Sequence, residues 1–187
     1  MTMKIDSYPD YMTEVYDLLA YITNIGDGRI FRGYQSREVL PADNDYIVYT
    51  PITSTRHGTN IATLHAKGVE PDSNAPDTDQ KLLQIDLQID CYGHNAFAYA
   101  QGIETFAHAG RCNEWLKQNK MGMHVLYAND PFNATIVDDT HQYVTRWTVT
   151  LAILTVVSVT DDIPWVEDLS ISSLKNVDVA FPPNEKE

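Results

Sequence analysis

Cysteine is scarce in this sequence, and positive charge is half as common as negative. Only Cys91 and Cys112 occur among the 187 residues. Neither has a second cysteine two or three positions away, which excludes a zinc knuckle or a C-x-x-C redox pair. Two buried free thiols are the expectation, because unpaired cysteine is among the most often buried residue types. No apolar run is long enough to span a bilayer. The opening residues, Met1-Thr2-Met3-Lys4-Ile5-Asp6, lack the apolar stretch of a signal peptide. A protein made in the cytoplasm of its cell, with no membrane role, is the expectation.

Lysine and arginine total 13 against 26 aspartates and glutamates, a formal net charge of −13. Such a chain repels phosphates, which excludes general nucleic-acid binding. Tyr46, Tyr49, Tyr92 and Trp147 could stack on bases, but a single-strand binder needs a basic groove beside its aromatics and few basic residues stand near these. An acidic surface past which DNA slides without sticking remains compatible with this balance.

Catalytic signatures are missing as well. No G-x-x-x-x-G-K-S/T or G-x-G-x-x-G occurs, and Gly26-Asp27-Gly28 places an acid where phosphate would sit. No G-x-S-x-G elbow is present. The six histidines form no H-E-x-x-H or other short metal pattern. Asp138-Asp139-Thr140-His141 is the most tempting cluster, because two carboxylates and an imidazole could hold a divalent ion or act as acid and base. An acidic turn leading into a strand explains the same residues. The chain therefore reads as a non-enzyme with no catalytic residue, cofactor or metal.

Periodicity shows what is there. Asp10 reads as the N-cap of a helix to Ile25 whose apolar positions are Tyr11, Val15, Leu18, Leu19, Ile22 and Ile25, stopped by Gly26 and Gly28. A loop to Asp45 precedes a strand, Tyr46–Thr50, that Pro51 ends or sets on an edge. Ile52–Lys67 suggests one more strand, and Val69–Asp79 a polar loop. From Leu83 to Cys91, Leu83, Ile85, Leu87, Ile89 and Cys91 alternate with Gln84, Asp86, Gln88 and Asp90, which puts a core on one face and water or a wet channel on the other. Asn95–Asn119 reads as one long alanine-rich helix. Strands follow at Met123–Ala128 and Gln142–Ser158, the second blurring its phase at Leu154–Val157 as a bulge or a doubly buried strand would. Helix, strands, helix, strands is an α+β domain: a largely antiparallel or mixed sheet with two main helices on one face. That domain spans 1–160. Residues 161–187 form an acidic extension carrying apolar side chains, which docks on its own domain or on a neighbour.

The segments PADNDYIVYTPI (41–52), LQIDLQIDCYGHNAFA (83–98), YANDPFNATIVDDTHQYVTR (127–146) and NVDVAFPP (176–183), in this order, resemble the phage neck terminator family and, more loosely, the tail terminator proteins. The resemblance implies a structural virion protein, made in the host bacterium, that assembles into a hexameric ring between head connector and tail. It implies head connector and adaptor proteins, tail tube and sheath proteins as partners, and genomic DNA passing without sequence-specific binding. It brings no catalytic residues. A closing ring needs heterologous contacts. Trp165, Leu169, Val179 and Phe181 are the candidate subunit anchors, and Asp86 and Asp90 the candidate channel wall. The alternatives are a head-completion or adaptor ring and a metal-dependent hydrolase using Asp138, Asp139 and His141.

Overall fold

The structure is a computed structural model that describes residues 4–7, 10–26, 28–34, 45–64, 75–137 and 143–163. The expectations for Asp138, Asp139, His141, Trp165, Leu169, Val179 and Phe181 lie outside these residues.

Two strands carry the architecture. β5 (Ala75–Tyr92) and β10 (Arg146–Ile163), 18 residues each, pair antiparallel from Tyr92↔Arg146 to Ala75↔Ile163 without a register shift. On the free side of β5 lie β3 (Tyr46–Arg56) and, farther along, β4 (Ile61–Leu64), both antiparallel to it. β2 (Ile30–Arg32) runs parallel to β3. The other side of β10 carries β7 (Phe132–Asn133), β6 (Met123–Ala128) and β1 (Lys4–Ser7) in turn. These strands make one eight-stranded sheet, and β8 (Ile136–Val137) with β9 (Tyr143–Val144) makes a separate pair.

Alternation decides which face is covered. Ile85, Leu87, Ile89 and Cys91 of β5 are buried beside Val149, Leu151 and Ile153 of β10. Onto this face pack α1 (Tyr11–Thr23), α2 (Ala96–Ala107) and α3 (Gly110–Gln118), burying Val15, Leu18 and Leu19, Ala100 and Ile103, Cys112 and Leu116. Each large aliphatic side chain so buried is worth about 1.5–3 kcal/mol relative to exposure. The small alanines of α2 let its backbone lie close to the strands. The expected α+β class and one-sided helix packing are what the chain adopts.

Several boundaries differ from the sequence reading, each for a physical reason. α1 begins at its expected cap, where Asp10 accepts from the Thr13 amide (3.3 Å) and hydroxyl (2.5 Å). Those bonds, led by the hydroxyl, hold the Asp10 carboxyl below its usual range. The helix ends earlier than expected, with Asn24 in the left-handed region (φ 48°) as C-cap. Ile25 then folds into the core as loop.

The single helix expected over Asn95–Asn119 is two. Ala109 is extended (φ −79°, ψ 131°), and His108 reaches the Ala128 carbonyl at 3.0 Å, tying the break to β6. Apolar spacing did not reveal it because both helices bury their stripes on the same sheet. β3 runs through Pro51 to Arg56 by a bulge between Pro51 and Thr53, where a missing N–H is tolerated. The polar stretch from Ala75 to Asp79, expected as loop, is strand because β4 and β10 pair with its backbone from both sides. At the far end, Asp161–Ile163 continue β10. The expected bulge near Leu154 sits in the partner strand instead, where Leu126 is the extra residue of β6 between Val125 and Tyr127.

One turn fixes how β5 hands over to α2. Gly93 has φ +99°, and a Cβ there would run into the Asp45 carboxylate. That carboxylate accepts from the Asn95 backbone N–H (3.2 Å) and Nδ2 (2.6 Å). Burial pushes Asp45 up, but the Asn95 bonds outweigh it and leave the carboxyl below its usual range. Gly93→Ala therefore combines a disfavoured φ with a collision at a charged acceptor. A loss of roughly 1–3 kcal/mol is expected, read as a lower urea midpoint; an unchanged midpoint would mean that the turn relaxes freely.

Candidate assembly interface

The sheet face turned away from the helices is built by the even residues of β5 and their cross-strand partners. Most of it is half-buried, and no helix covers it among the described residues. Its most buried acid is Asp90, 6% exposed. Arg146 Nε (3.0 Å) and Nη2 (2.9 Å) and the Thr148 hydroxyl (2.6 Å) all donate to Oδ1, and Gln88 Nε2 donates to Oδ2 at 2.9 Å. A carboxylate this far from water is tolerable only when its acceptor positions are filled and its charge matched. Asp86 is half-buried and differently served. It accepts from the Thr53 hydroxyl (2.6 Å) and Gln84 Nε2 (3.0 Å), and no cation among the described residues pairs with it. The two acids that strand alternation made equivalent are thus unlike: the charge of Asp90 is neutralised locally, and that of Asp86 is left to the surface.

At the Tyr92 end an aromatic row crosses four strands. Phe31 meets Tyr46 edge-on (6.2 Å, 80°), Tyr46 stacks on Tyr92 (4.5 Å, 10°), and the Arg146 guanidinium lies 5.8 Å from the Tyr92 centroid. Burial raises the Tyr46 and Tyr92 hydroxyls above their usual value, so both stay neutral. The row is a rigid, largely apolar patch braced by an internally paired cation. Sequence reading found the tyrosines but not the row, because register, not spacing, brings them together.

The sheet's two borders also differ. Beside β6, Asn113 of α3 imitates a neighbouring strand: its Nδ2 donates to the Val125 carbonyl (3.0 Å) and its Oδ1 accepts the Val125 N–H (2.9 Å). A side-chain amide thus occupies that edge at Val125 and opposes pairing there. On the opposite border β2 pairs only as far as Tyr49. Past that point Ile52–Arg56 is exposed, with no strand on its outer side among the described residues. This edge is open to main-chain pairing.

Reactive chemistry is sparse. Among the described residues no three histidine, cysteine, aspartate or glutamate side chains gather as a metal would need. Cys91 and Cys112 are free and buried. Burial, with Asp90 adding its charge, pushes the Cys91 thiol up to about 12, and burial pushes Cys112 up to about 11. Neither offers a thiolate at neutral pH. A thiol reagent is expected to label neither cysteine in the native chain over an hour and both in urea; prompt native labelling would show that the core opens readily.

No helix of the described residues is long and apolar enough to cross a membrane. No curated protein gives a significant match to the chain. The profile of the phage neck terminator proteins matches residues 12–177, from the start of α1 beyond the end of β10. A match of that extent settles the family: the chain belongs to the phage neck terminator proteins, structural components of the phage neck.

Proposed function

We propose that this protein forms a closed ring at the head–tail neck of a tailed phage, caps the tail, joins it to the head connector and leaves a channel for DNA. The observation that carries the reading is the family match over residues 12–177. The asymmetry of the subunit supports it: one sheet border is occupied by Asn113 at Val125, and the other is open among the described residues. An open edge can take an extended segment of a neighbouring copy, which is a head-to-tail contact, and head-to-tail contacts close into rings when the rotation fits. Six copies is the stoichiometry that the family resemblance suggests. Head connector and adaptor proteins above, and tail tube and sheath proteins below, are the partners of such a ring.

Asp86 is the stronger channel-wall candidate, because no cation among the described residues matches its charge while Arg146 answers that of Asp90. An unmatched carboxylate facing the hole would keep phosphates sliding. Trp165, Leu169, Val179 and Phe181 remain the proposed anchors between copies. The same particles are where the protein would act, with synthesis in the host bacterium.

Imaging the virion neck at side-chain resolution tests all of this. The expected map shows a ring of this chain around a central hole between connector and tail, with Asp86 on the inner wall. A ring placed higher, among the head-completion proteins, would reassign its position. Absence from purified particles would overturn the reading. The hydrolase alternative is met by titration calorimetry with Mg²⁺, Mn²⁺ and Zn²⁺, for which no binding that depends on Asp138 is expected.

A further inference from the structure

A groove of about 710 Å³ crosses the outer side of the helical layer. Tyr21 and Ile22 of α1 form one wall, Phe97, Gly102 and Phe106 of α2 the other, and Arg111 is the charged residue among the described lining. Tyr21 and Phe97 are 53% and 51% exposed, unusual for side chains worth so much when buried. Tyr21 is nevertheless held in place, stacked on Trp115 (4.5 Å) and edge-on to Phe106 (5.7 Å). Gly102 leaves the space between α1 and α2 open, since a Cβ there would meet only Ile22 Cγ2, at 3.9 Å. A preformed apolar groove with one cation suits an apolar peptide that also carries acids.

Such a peptide follows β10 in the sequence: Trp165-Val166-Glu167-Asp168-Leu169. Chain reach decides whose copy can fill the groove. The groove begins at Phe97, 4.7 Å from Trp147 at the start of β10. It ends near the helix break that His108 ties to Ala128, the partner of Leu151. From Leu151 to Ile163 β10 extends about 40 Å, and from Trp147 about 53 Å, at roughly 3.3 Å per residue. Beyond Ile163 the chain takes Trp165 at most about 7 Å and Leu169 about 20 Å. Neither side chain can return to the groove of its own subunit.

We propose that the groove across α1 and α2 receives the C-terminal segment of a second copy of this chain, with Trp165 and Leu169 as anchors and Glu167 and Asp168 facing Arg111. The inference rests on the ring reading and names the contact that links one copy to the next. It is directional, since the end of one subunit's longest strand feeds the helical layer of another, which is the geometry a closing ring requires.

Phage particles assembled with a Gln101→Cys, Ser170→Cys chain test it, since both substitutions spare the anchors. The native cysteines are fully buried and do not compete. Mild oxidation is expected to give a ladder of dimers and larger species on a denaturing gel. Arg111→Glu in the same background should lower the ladder's yield at least about threefold, and Glu167→Lys with Asp168→Lys should restore it. A cross-link confined to the monomer, or none in particles that contain the chain, would overturn the inference and leave the ring intact. Particles lacking the chain altogether would instead sink the ring reading, and this contact with it.

Discussion

Arg146→Ala is expected to remove about 3–5 kcal/mol of folding stability, the usual result of stripping the partner from a buried ion. Asp90 lies between β3 and β10 with its side chain 8% exposed, and Arg146 is 22% exposed. Without the guanidinium the carboxylate keeps the Thr148 hydroxyl and the Gln88 amide but has no countercharge. Neutral donors recover only part of the desolvation cost. The substitution also takes the cation from the Tyr92 ring. Arg146→Lys restores the charge without the fork and should lie between wild type and alanine. Asp86→Asn, on the same strand and face, removes a charge that no cation among the described residues matches, and should cost under about 1 kcal/mol. Urea unfolding of the four chains gives the comparison. An Arg146→Ala loss below about 1 kcal/mol would show that water reaches Asp90 from the face opposite the helices.

The contrast between these two acids shows where sequence reading stops. Alternation from Leu83 to Cys91 correctly assigned the buried face, because a period of two leaves no other arrangement once one side is apolar. It could not rank Asp86 against Asp90, because the difference is made by Arg146 and Thr148, more than fifty residues away in the chain. Asp10 as the cap of α1 was legible because its partner is local. The helix break at Ala109 was not, because the apolar stripe continues across it. Ala75–Asp79 hid as a loop because backbone pairing with β4 and β10 makes it strand, which its polar, Pro-containing sequence does not signal. The edge-plugging role of Asn113 and the aromatic row from Phe31 to Arg146 likewise come from register between distant strands. The family was readable from the order of its segments, while the contacts that would build a ring depend on borders and grooves that exist only once the sheet is assembled.

Ending the chain after Ile163 is expected to weaken self-association at least about a hundredfold while leaving the melting temperature of the isolated subunit within about 2 °C. Two buried anchors worth about 2 kcal/mol each would together give about 700-fold, since each 1.4 kcal/mol is a factor of ten, and partial compensation leaves at least a hundredfold. The unchanged melting point is the discriminating half, because a segment folded onto its own domain would contribute stability that truncation removes. Placement of the cut matters. Asp161, Asp162 and Ile163 pair with Asp77, Pro76 and Ala75, so a cut at Asp161 would shorten β10 and confuse strand loss with anchor loss. Reach separates the anchors further. Val179 and Phe181 lie 16 and 18 residues beyond Ile163, far enough at full extension to span about 53–60 Å and touch either their own subunit or the next. In the proposed contact Trp165 and Leu169 serve a neighbour, because the α1–α2 groove of their own subunit lies beyond their reach. Trp165→Ala should therefore weaken association without altering the isolated subunit, whereas Phe181→Ala could alter either. Sedimentation of the truncated and point-substituted chains over a range of concentrations supplies both readouts. Association at wild-type strength after truncation would mean that the open border of β3, and not the C-terminal segment, holds the copies together.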